Sequence, residues 1–182
     1  MATKKWVLDA SHSDIQFKVK HLMITTVTGT FKEFTGAVET EDDDISSAKI
    51  EFSANVNSVS TNNEQRDAHL KNGDFFDADN FPRLSFISSR LEKVEGEEYK
   101  LYGTLTMRGV SKPVILDVDF GGIITDPWGN TRSGFTVTGK INRLDFGVSF
   151  SVASETGAVL LGHDVNITAN VQFVAQAQNV AA

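Results

Sequence analysis

Apolar and polar residues alternate with a period of two along most of this chain. The alternation is clearest in five stretches, whose apolar members are Ile15, Phe17 and Val19; Ile50, Phe52, Ala54 and Val56; Val114, Leu116, Val118 and Phe120; Phe135, Val137 and Ile141; and Val165, Ile167, Ala169, Val171 and Phe173. A stretch of this kind has one apolar and one polar face, which is typical of a strand in an antiparallel sheet with one solvated side. The pattern therefore predicts an all-β fold.

Turn-forming residues separate the predicted strands. Residues 95–98 predict a tight hairpin, residues 108–113 a wider one, and residues 126–130 a further turn. Glycines inside the strands, such as Gly29 and Gly103, would allow the sheet to coil sharply. A small closed barrel needs such bends, and closure removes the exposed edges of the sheet.

Residues 61–82 interrupt the alternation. Thr61 or Asn62 is suited to cap a helix over residues 62–72, with Gly73 at the position after its end. The helix has too few apolar residues to form a stripe, and so short a helix is not stable alone in water. We expect it to be held by the aromatic side chains that follow, Phe75, Phe76 and Phe81. The segment is thus predicted to be a lid or plug over one end of the barrel.

Length and charge narrow the class of protein. The chain has 182 residues, a formal net charge of −7 and no cysteine, and one domain over residues 1–182 is expected at this length. The negative charge argues against a nucleic-acid partner and against electrostatic docking on anionic lipid headgroups. The lack of cysteine excludes thiol nucleophiles and thiolate metal sites. Residues 175–182 are small and polar and are expected to fray.

Targeting signals are not evident in the sequence. No run of about 18 apolar residues is present, so no membrane-spanning helix is expected. The first residues, MATKKW, carry two lysines but no apolar core of a secretory signal. We therefore expect a cytoplasmic location for the sequence as given, and a periplasmic one if a signal has been removed from it.

The candidate chemistry is concentrated in Arg66, Asp67 and His69. Arg66 and His69 are three residues apart and can share a helix face, whereas Arg66 and Asp67 cannot. One interpretation is a polar cluster at the barrel mouth that holds a quinone carbonyl or a phosphate head. The other is that Arg66 and Asp67 satisfy backbone groups of residues 74–82 and fix the helix. The second is favoured because most side-chain hydrogen bonds go to backbone or water.

Catalytic and metal sites have weaker support. The four histidines match no helical or finger-type zinc spacing, so no metal site is predicted. A hydrolase would take Ser60 or Ser111 as nucleophile with His69 and Asp67, but no GxSxG motif is present. The chain is therefore expected not to be an enzyme.

Two arginines and the aromatic residues complete the candidates. Arg108 is expected to be a surface or rim charge, and Arg143 to pair with Asp145 or a neighbouring loop carboxylate. Thirteen Phe and two Trp suit a ligand cavity and a filled core equally. On the residues alone the filled core is favoured, because small barrels usually fill with side chains.

Several separate blocks, in order along nearly the whole chain, carry a family resemblance. They are residues 6–9 and 12–22, 29–36, 60–70, 74–76, 81–82, 105–114, 143–147 and 162–165. Together these blocks resemble the YceI-like proteins, a bacterial family with a lipocalin-like barrel that binds polyisoprenoid lipids. Many members carry a signal peptide, which this sequence lacks as given.

The resemblance implies a lipocalin-like antiparallel eight-stranded barrel with a short helix and loop insertion at residues 62–82. It implies a long-chain isoprenoid (quinone or polyprenyl) or similar amphiphile as ligand, no other cofactor, and a homodimer as one expected assembly. It also suggests roles in transport or stress response. Alternatives are a solid-core, stress-related interaction module and a lipid-head hydrolase. The expected ligand-binding residues are Phe17, His21, Phe31, Phe52, Arg66, Asp67, His69, Phe75, Phe76 and Phe86.

Overall fold

Antiparallel strands and one short helix make up the regular structure of the protein. The computed structural model describes residues 2–22, 24–150 and 161–177. Within these ranges the strands are β1 (Thr3–Leu8), β2 (Asp14–His21), β3 (Thr25–Phe31), β4 (Phe34–Glu41), β5 (Asp44–Asn55), β6 (Val59–Ser60), β7 (Arg83–Glu95), β8 (Glu98–Met107), β9 (Val110–Thr125), β10 (Thr131–Asn142) and β11 (Leu161–Ala175). The helix α1 spans Glu64–Lys71. It is too short to cross a membrane, and no other described residues form a longer apolar helix.

The strands close into a ring of eight positions. Three of these positions are each made of two consecutive strands. The first position is β1 followed by β2, both paired with β11. The second is β3 followed by β4, and the third is β5 followed by β6. β7 to β11 fill the other five positions, and pairing of Trp6 with Ala175 closes the ring between β1 and β11. The predicted antiparallel eight-stranded barrel with a helical insertion is confirmed. Around the ring, each position pairs with its neighbours in sequence, apart from the first and last positions, where β1 and β2 pair with β11.

A short 3-10 turn, Ala10–His12, bends the chain between β1 and β2. Asp9 caps this turn, because its side chain accepts a hydrogen bond from the backbone amide of Ser11. Gly29 has a different role from the bending expected of strand glycines. The ring of Phe17, directly across on the paired strand, lies over Gly29, and a Cβ at that position would overlap it. A side chain at position 29 would therefore have to displace the aromatic ring of Phe17.

The connections alternate between two ends of the barrel. We call one the lidded end: it holds the β2–β3 turn, the lid segment (residues 61–82), the β8–β9 turn and the connection after β10. The other, the floor end, holds the remaining turns and the start of β1. The wide hairpin expected at residues 108–113 is wrong. Arg108 and Gly109 form a two-residue turn with φ of 53° and 71°, and β9 begins at Val110.

The floor end is closed by packing and hydrogen bonds. Trp6 is 2% exposed, and its indole N–H donates to Thr40 Oγ1 at 3.0 Å. Thr40 in turn donates to the carbonyl of Asp42 at 2.6 Å. The expected fraying is wrong at residues 175 and 176, because Ala175 pairs with Trp6 and the amide of Gln176 donates to the carbonyl of Lys5. Residues 178–182 of that predicted tail lie outside the described residues.

An ion-pair cluster braces the outside of the barrel near the floor end. Arg132 donates to Asp9 Oδ2 at 2.8 Å and to Asp126 Oδ2 at 2.7 Å. Hydrogen bonds from Ser11 and then from Arg132 hold the pKa of Asp9 far below its usual range. The same guanidinium is the main reason that the pKa of Asp126 is also lowered.

Candidate functional site

A cavity of about 460 Å³ occupies the inside of the barrel. Inward-facing residues from all eight ring positions line it, and nearly all of them are apolar because the strand alternation places polar residues outside. The volume falls within the range of roughly 300–1,000 Å³ that is typical of ligand pockets. The filled core favoured by the residues alone is therefore wrong.

Nine of the ten expected ligand-binding residues lie in the cavity wall. They are Phe17, His21, Phe31, Phe52, Arg66, His69, Phe75, Phe76 and Phe86, while Asp67 is not part of the wall. Ligand contact by any of these ten residues stays a prediction.

Two groups of aromatic rings connect the lid segment to the barrel wall. Phe76 packs against Phe31 and Phe17, with ring centroids 5.8 and 6.4 Å apart. Phe75 packs against Phe150 at 5.1 Å, and His69 lies edge-on to both, at 4.9 and 5.0 Å. These contacts hold a helix that has no apolar stripe of its own.

The helix cap and the Arg66–Asp67 contacts centre on Thr61. The expected cap, Thr61 or Asn62, is wrong, because Asn63 caps α1 by accepting from the amide of Arg66 at 3.0 Å. Asp67 accepts from the amide and hydroxyl of Thr61 at 2.7 and 2.6 Å. Arg66 donates to the hydroxyl and the carbonyl of Thr61, both at 2.7 Å. Both residues thus fix the entry to the helix.

The aromatic part of the lid segment is held by other residues than expected. Arg66 and Asp67 were expected to brace residues 74–82, and this is wrong because Thr61 takes up their hydrogen bonds. Instead Arg108 donates to the carbonyls of Gly73 and Phe75, both at 2.6 Å. The expected rim charge at Arg108 is thus a clamp between the β8–β9 turn and the lid segment.

Arg143 is a wall residue that sequence reasoning placed wrongly. It is 3% exposed and lines the cavity. Its guanidinium donates to the carbonyls of Val148, Phe150, Leu161 and Gly162 at 2.7, 2.7, 3.2 and 2.8 Å. No carboxylate, Asp145 included, pairs with it in the described ranges, which corrects the expected ion pair.

Burial lowers the pKa of Arg143, but a guanidinium remains charged in proteins. Arg143 begins a short 3-10 turn, Arg143–Phe146, which the local sequence indicates. Asn142 accepts from the amide of Leu144, and Gly147 has a φ of 74°. Such a cap and glycine indicate a compact turn after a strand. Burial of the arginine depends on the following connection, which the local sequence does not reveal.

Three arginine side chains lie at the lidded end. Arg66, Arg108 and Arg143 all donate to backbone carbonyls, and none forms an ion pair within the part of the chain that the structure describes. Two of them, Arg66 and Arg143, reach the cavity wall. These two guanidinium groups suit the polar or anionic head of an amphiphile, while the lid segment around them carries more acidic than basic residues.

The hydrolase candidates do not converge. Ser111 shares a 2.7 Å hydrogen bond with Thr106, and Ser60 accepts weakly from the amide of Asn62 at 3.5 Å. His69 Nε2 is paired with Asp74 at 2.8 Å. Among the described residues, no cluster of three or more His, Asp or Glu has the arrangement of a metal site.

Comparison with known proteins places this barrel among its relatives. The family model of the YceI-like domain matches residues 6–173. UPF0312 protein SAS2572 of Staphylococcus aureus is 39% identical over 169 residues, which are 92% of this chain and 96% of that protein. The crystal structure of the Campylobacter jejuni YCEI protein is 34% identical, with a TM-score of 0.75, and the match covers 87% of this chain and 90% of that one.

A polyisoprenoid binding domain from Saccharophagus degradans has the same fold. Its TM-score is 0.68 over 94% of this chain and 98% of that one, at 14% identity, so the likeness concerns the fold alone. The family model spans nearly all of the ring, from Trp6 in β1 to Phe173 in β11. The matched range therefore includes both strands that close the barrel around the cavity. Because the family model covers most of the sequence, the chain belongs to the YceI-like family.

Proposed function

We propose that this chain binds a long-chain isoprenoid, such as a quinone or a polyprenyl lipid, or a similar amphiphile, and sequesters or carries it inside the barrel. The observation that carries the proposal is the apolar cavity of about 460 Å³ along the barrel. The Saccharophagus degradans domain is described as polyisoprenoid binding, and the shared fold makes the same class of ligand the first candidate here.

The energetics favour a chain-like apolar ligand. Each buried CH₂ group contributes about 0.8 kcal/mol, so one five-carbon prenyl unit offers roughly 3–4 kcal/mol before the cost of ordering it. Two or three units thus suffice for tight binding by the wall alone. Polar groups are needed only to orient the head of the ligand.

The polar end of the cavity supplies groups for such a head. Arg66, His69 and Arg143 are part of the wall at the lidded end. The guanidinium of Arg66 has N–H groups beyond the two that donate to Thr61, and these suit a phosphate or a quinone carbonyl as acceptor. This supports entry with the tail towards Trp6 and the head under the lid segment.

Binding without catalysis is the better-supported mode of action. Asp67 is committed to Thr61, and His69 to Asp74. The serines proposed for a hydrolase contact neither of them. The solid-core interaction module is less favoured because the barrel encloses free volume.

Denaturing mass spectrometry of the protein purified from its own host tests the proposal. We expect a co-purifying isoprenoid lipid, and uptake of geranylgeraniol and geranylgeranyl phosphate by the delipidated protein. An empty protein that takes up neither probe would refute it.

The variant Arg66→Gln tests whether Arg66 contacts the head group of the ligand. We expect affinity for geranylgeranyl phosphate to fall about tenfold, since a hydrogen bond to a charged group contributes roughly 1.5–3 kcal/mol. Affinity for geranylgeraniol should change less than about twofold. Asp67→Asn is the matched control. It weakens the hydrogen bonds to Thr61 but does not change a residue of the cavity wall. Equal losses of phosphate binding in both variants would show that Arg66 only braces the helix.

A further inference from the structure

The β2–β3 turn presents an apolar tip to solvent at the lidded end. Ile24 is 77% and Leu22 is 44% exposed. Leu22 has a φ of 54°, a left-handed conformation that is uncommon for a bulky residue. The turn is closed by the amide of Ile24, which donates to the carbonyl of His21 at 3.2 Å. Two aliphatic side chains are thus exposed at this turn, one of them on a residue whose backbone conformation favours glycine.

The stem of this hairpin forms part of the cavity mouth. Phe17, Val19 and Val27 line the cavity and are only half-buried. The outer edge of β3 pairs with β6 only at Thr30 and Phe31, so in the described structure no strand covers the rest of that edge. The inner face of the hairpin therefore leads from the exposed tip, past the pair of His21 and Thr25, to the apolar side chains of Val19, Val27 and Phe17 in the cavity wall.

The outer face of the stem has a different chemistry. Lys18 and Lys20 are exposed and point away from the cavity, alternating with Phe17 and Val19. Aliphatic groups at a tip with ammonium groups behind them match the order of a bilayer surface, where acyl chains lie beneath phosphate headgroups.

We propose that the β2–β3 tip inserts into the surface of a lipid bilayer, so that the ligand passes between membrane and cavity without crossing water. The inference rests on the proposed isoprenoid binding. Each prenyl unit that must cross water slows the transfer by a factor of roughly several hundred. A tail of several units therefore needs a path shielded from bulk water, and a hairpin whose tip lies in the bilayer provides one at the mouth.

Apolar insertion, rather than attraction to anionic lipids, drives this contact. The net charge of −7 opposes long-range attraction to an anionic membrane. Docking is thus expected on phosphatidylcholine vesicles, with little dependence on salt.

The opposite end of the barrel offers a matched control. Trp128 is 80% exposed in the β9–β10 turn at the floor end, and it is not part of the cavity wall. If any exposed apolar turn sufficed, Trp128→Ser would weaken docking as much as the double variant Leu22→Ser/Ile24→Ser. The proposal requires the effect only at the hairpin of the mouth.

The first test is flotation of the delipidated protein with phosphatidylcholine vesicles. We expect the wild type and Trp128→Ser to float and the double variant to lose at least about tenfold of its bound fraction, with unchanged thermal unfolding. This arm needs no ligand. Equal flotation of all three proteins, or none by the wild type, would overturn the proposal.

The second test follows a dansyl-labelled farnesyl probe from loaded protein to vesicles that contain an energy acceptor. The wild-type rate should rise in proportion to vesicle concentration, and the double variant should be at least about tenfold slower with the same probe affinity. A transfer rate that is independent of vesicle concentration would overturn the proposal. So would a double variant that transfers the probe at the wild-type rate but no longer forms a dimer, because the tip would then be a contact between protein copies. Vesicle flotation without probe uptake would instead refute the isoprenoid-binding function.

Discussion

Filling the cavity from the side of β11 provides a direct test of whether the barrel is open inside. Ala169 faces the cavity, flanked on the same strand by Ile167 and Val171. We expect Ala169→Phe to place a benzyl group in free volume. A packed barrel would instead have to deform around the ring.

The sign of the stability change separates these two cases. The larger side chain adds on the order of 100 Å³, about a fifth of the 460 Å³ cavity. At roughly 24 cal/mol per Å³ of cavity removed, the free energy of unfolding should rise by up to about 2 kcal/mol. Overpacking a filled core would lower it by about 1–3 kcal/mol.

Urea unfolding of the delipidated protein measures the change, because bound ligand would itself stabilise the folded state. Ala54→Phe is the control. Ala54 is 0% exposed, is not part of the cavity wall and packs with Ile15, Phe31 and Val59, so the Ala54→Phe variant should be less stable than the wild type. If Ala169→Phe loses as much stability as Ala54→Phe, the interior is packed and the reasoning fails.

Three further predictions concern the polar contacts. Arg143→Met should lower the free energy of unfolding in urea by about 3 kcal/mol or more, because it removes the donor from one buried and three partly buried carbonyls; a loss below about 1 kcal/mol would contradict this. Ser11 and Arg132 lower the pKa of Asp9, so its contribution to stability is present above about pH 4 and is lost as the pH falls further. The free energy of unfolding should therefore fall less steeply with decreasing pH in Asp9→Asn than in the wild type. Equal slopes in the two proteins would refute this role of Asp9. Arg108→Ala should speed amide hydrogen exchange in the lid segment about tenfold or more by freeing two carbonyls, and unchanged exchange would show that the aromatic contacts suffice.

The barrel was predictable because its determinants are local and repeated. Inward and outward residues alternate along β2, β9 and β11, and this period of two is legible in any single strand. The error at residues 108–113 shows the limit of that information. Lys112 and Pro113 resemble loop residues, but the two-residue turn at Arg108 and Gly109 leaves both in β9.

The site was less predictable because its contacts join distant parts of the chain. Phe17 was expected at the cavity, and the alternation along β2 is enough to turn it inward. Arg108 contacts the lid segment 33 and 35 residues earlier in the chain, and Arg143 spans a connection of 19 residues to reach Gly162. No local pattern indicates which carbonyls a guanidinium will meet after folding. The free volume itself depends on the circumference of the closed ring and not on any one residue.

Closure of the ring between β1 and β11 also constrains how the protein folds. Trp6 lies opposite Ala175, whereas the other strand positions pair with neighbours in sequence, so the closing pair is the contact of highest sequence separation. A chain emerging from the ribosome can form the rest of the sheet first, but until β11 is released that sheet has two open edges and encloses nothing. The cavity is therefore created in the last step of folding. Refolding the denatured protein in the presence of a detergent-solubilised isoprenoid is, for that reason, a route to the loaded barrel that does not pass through its mouth.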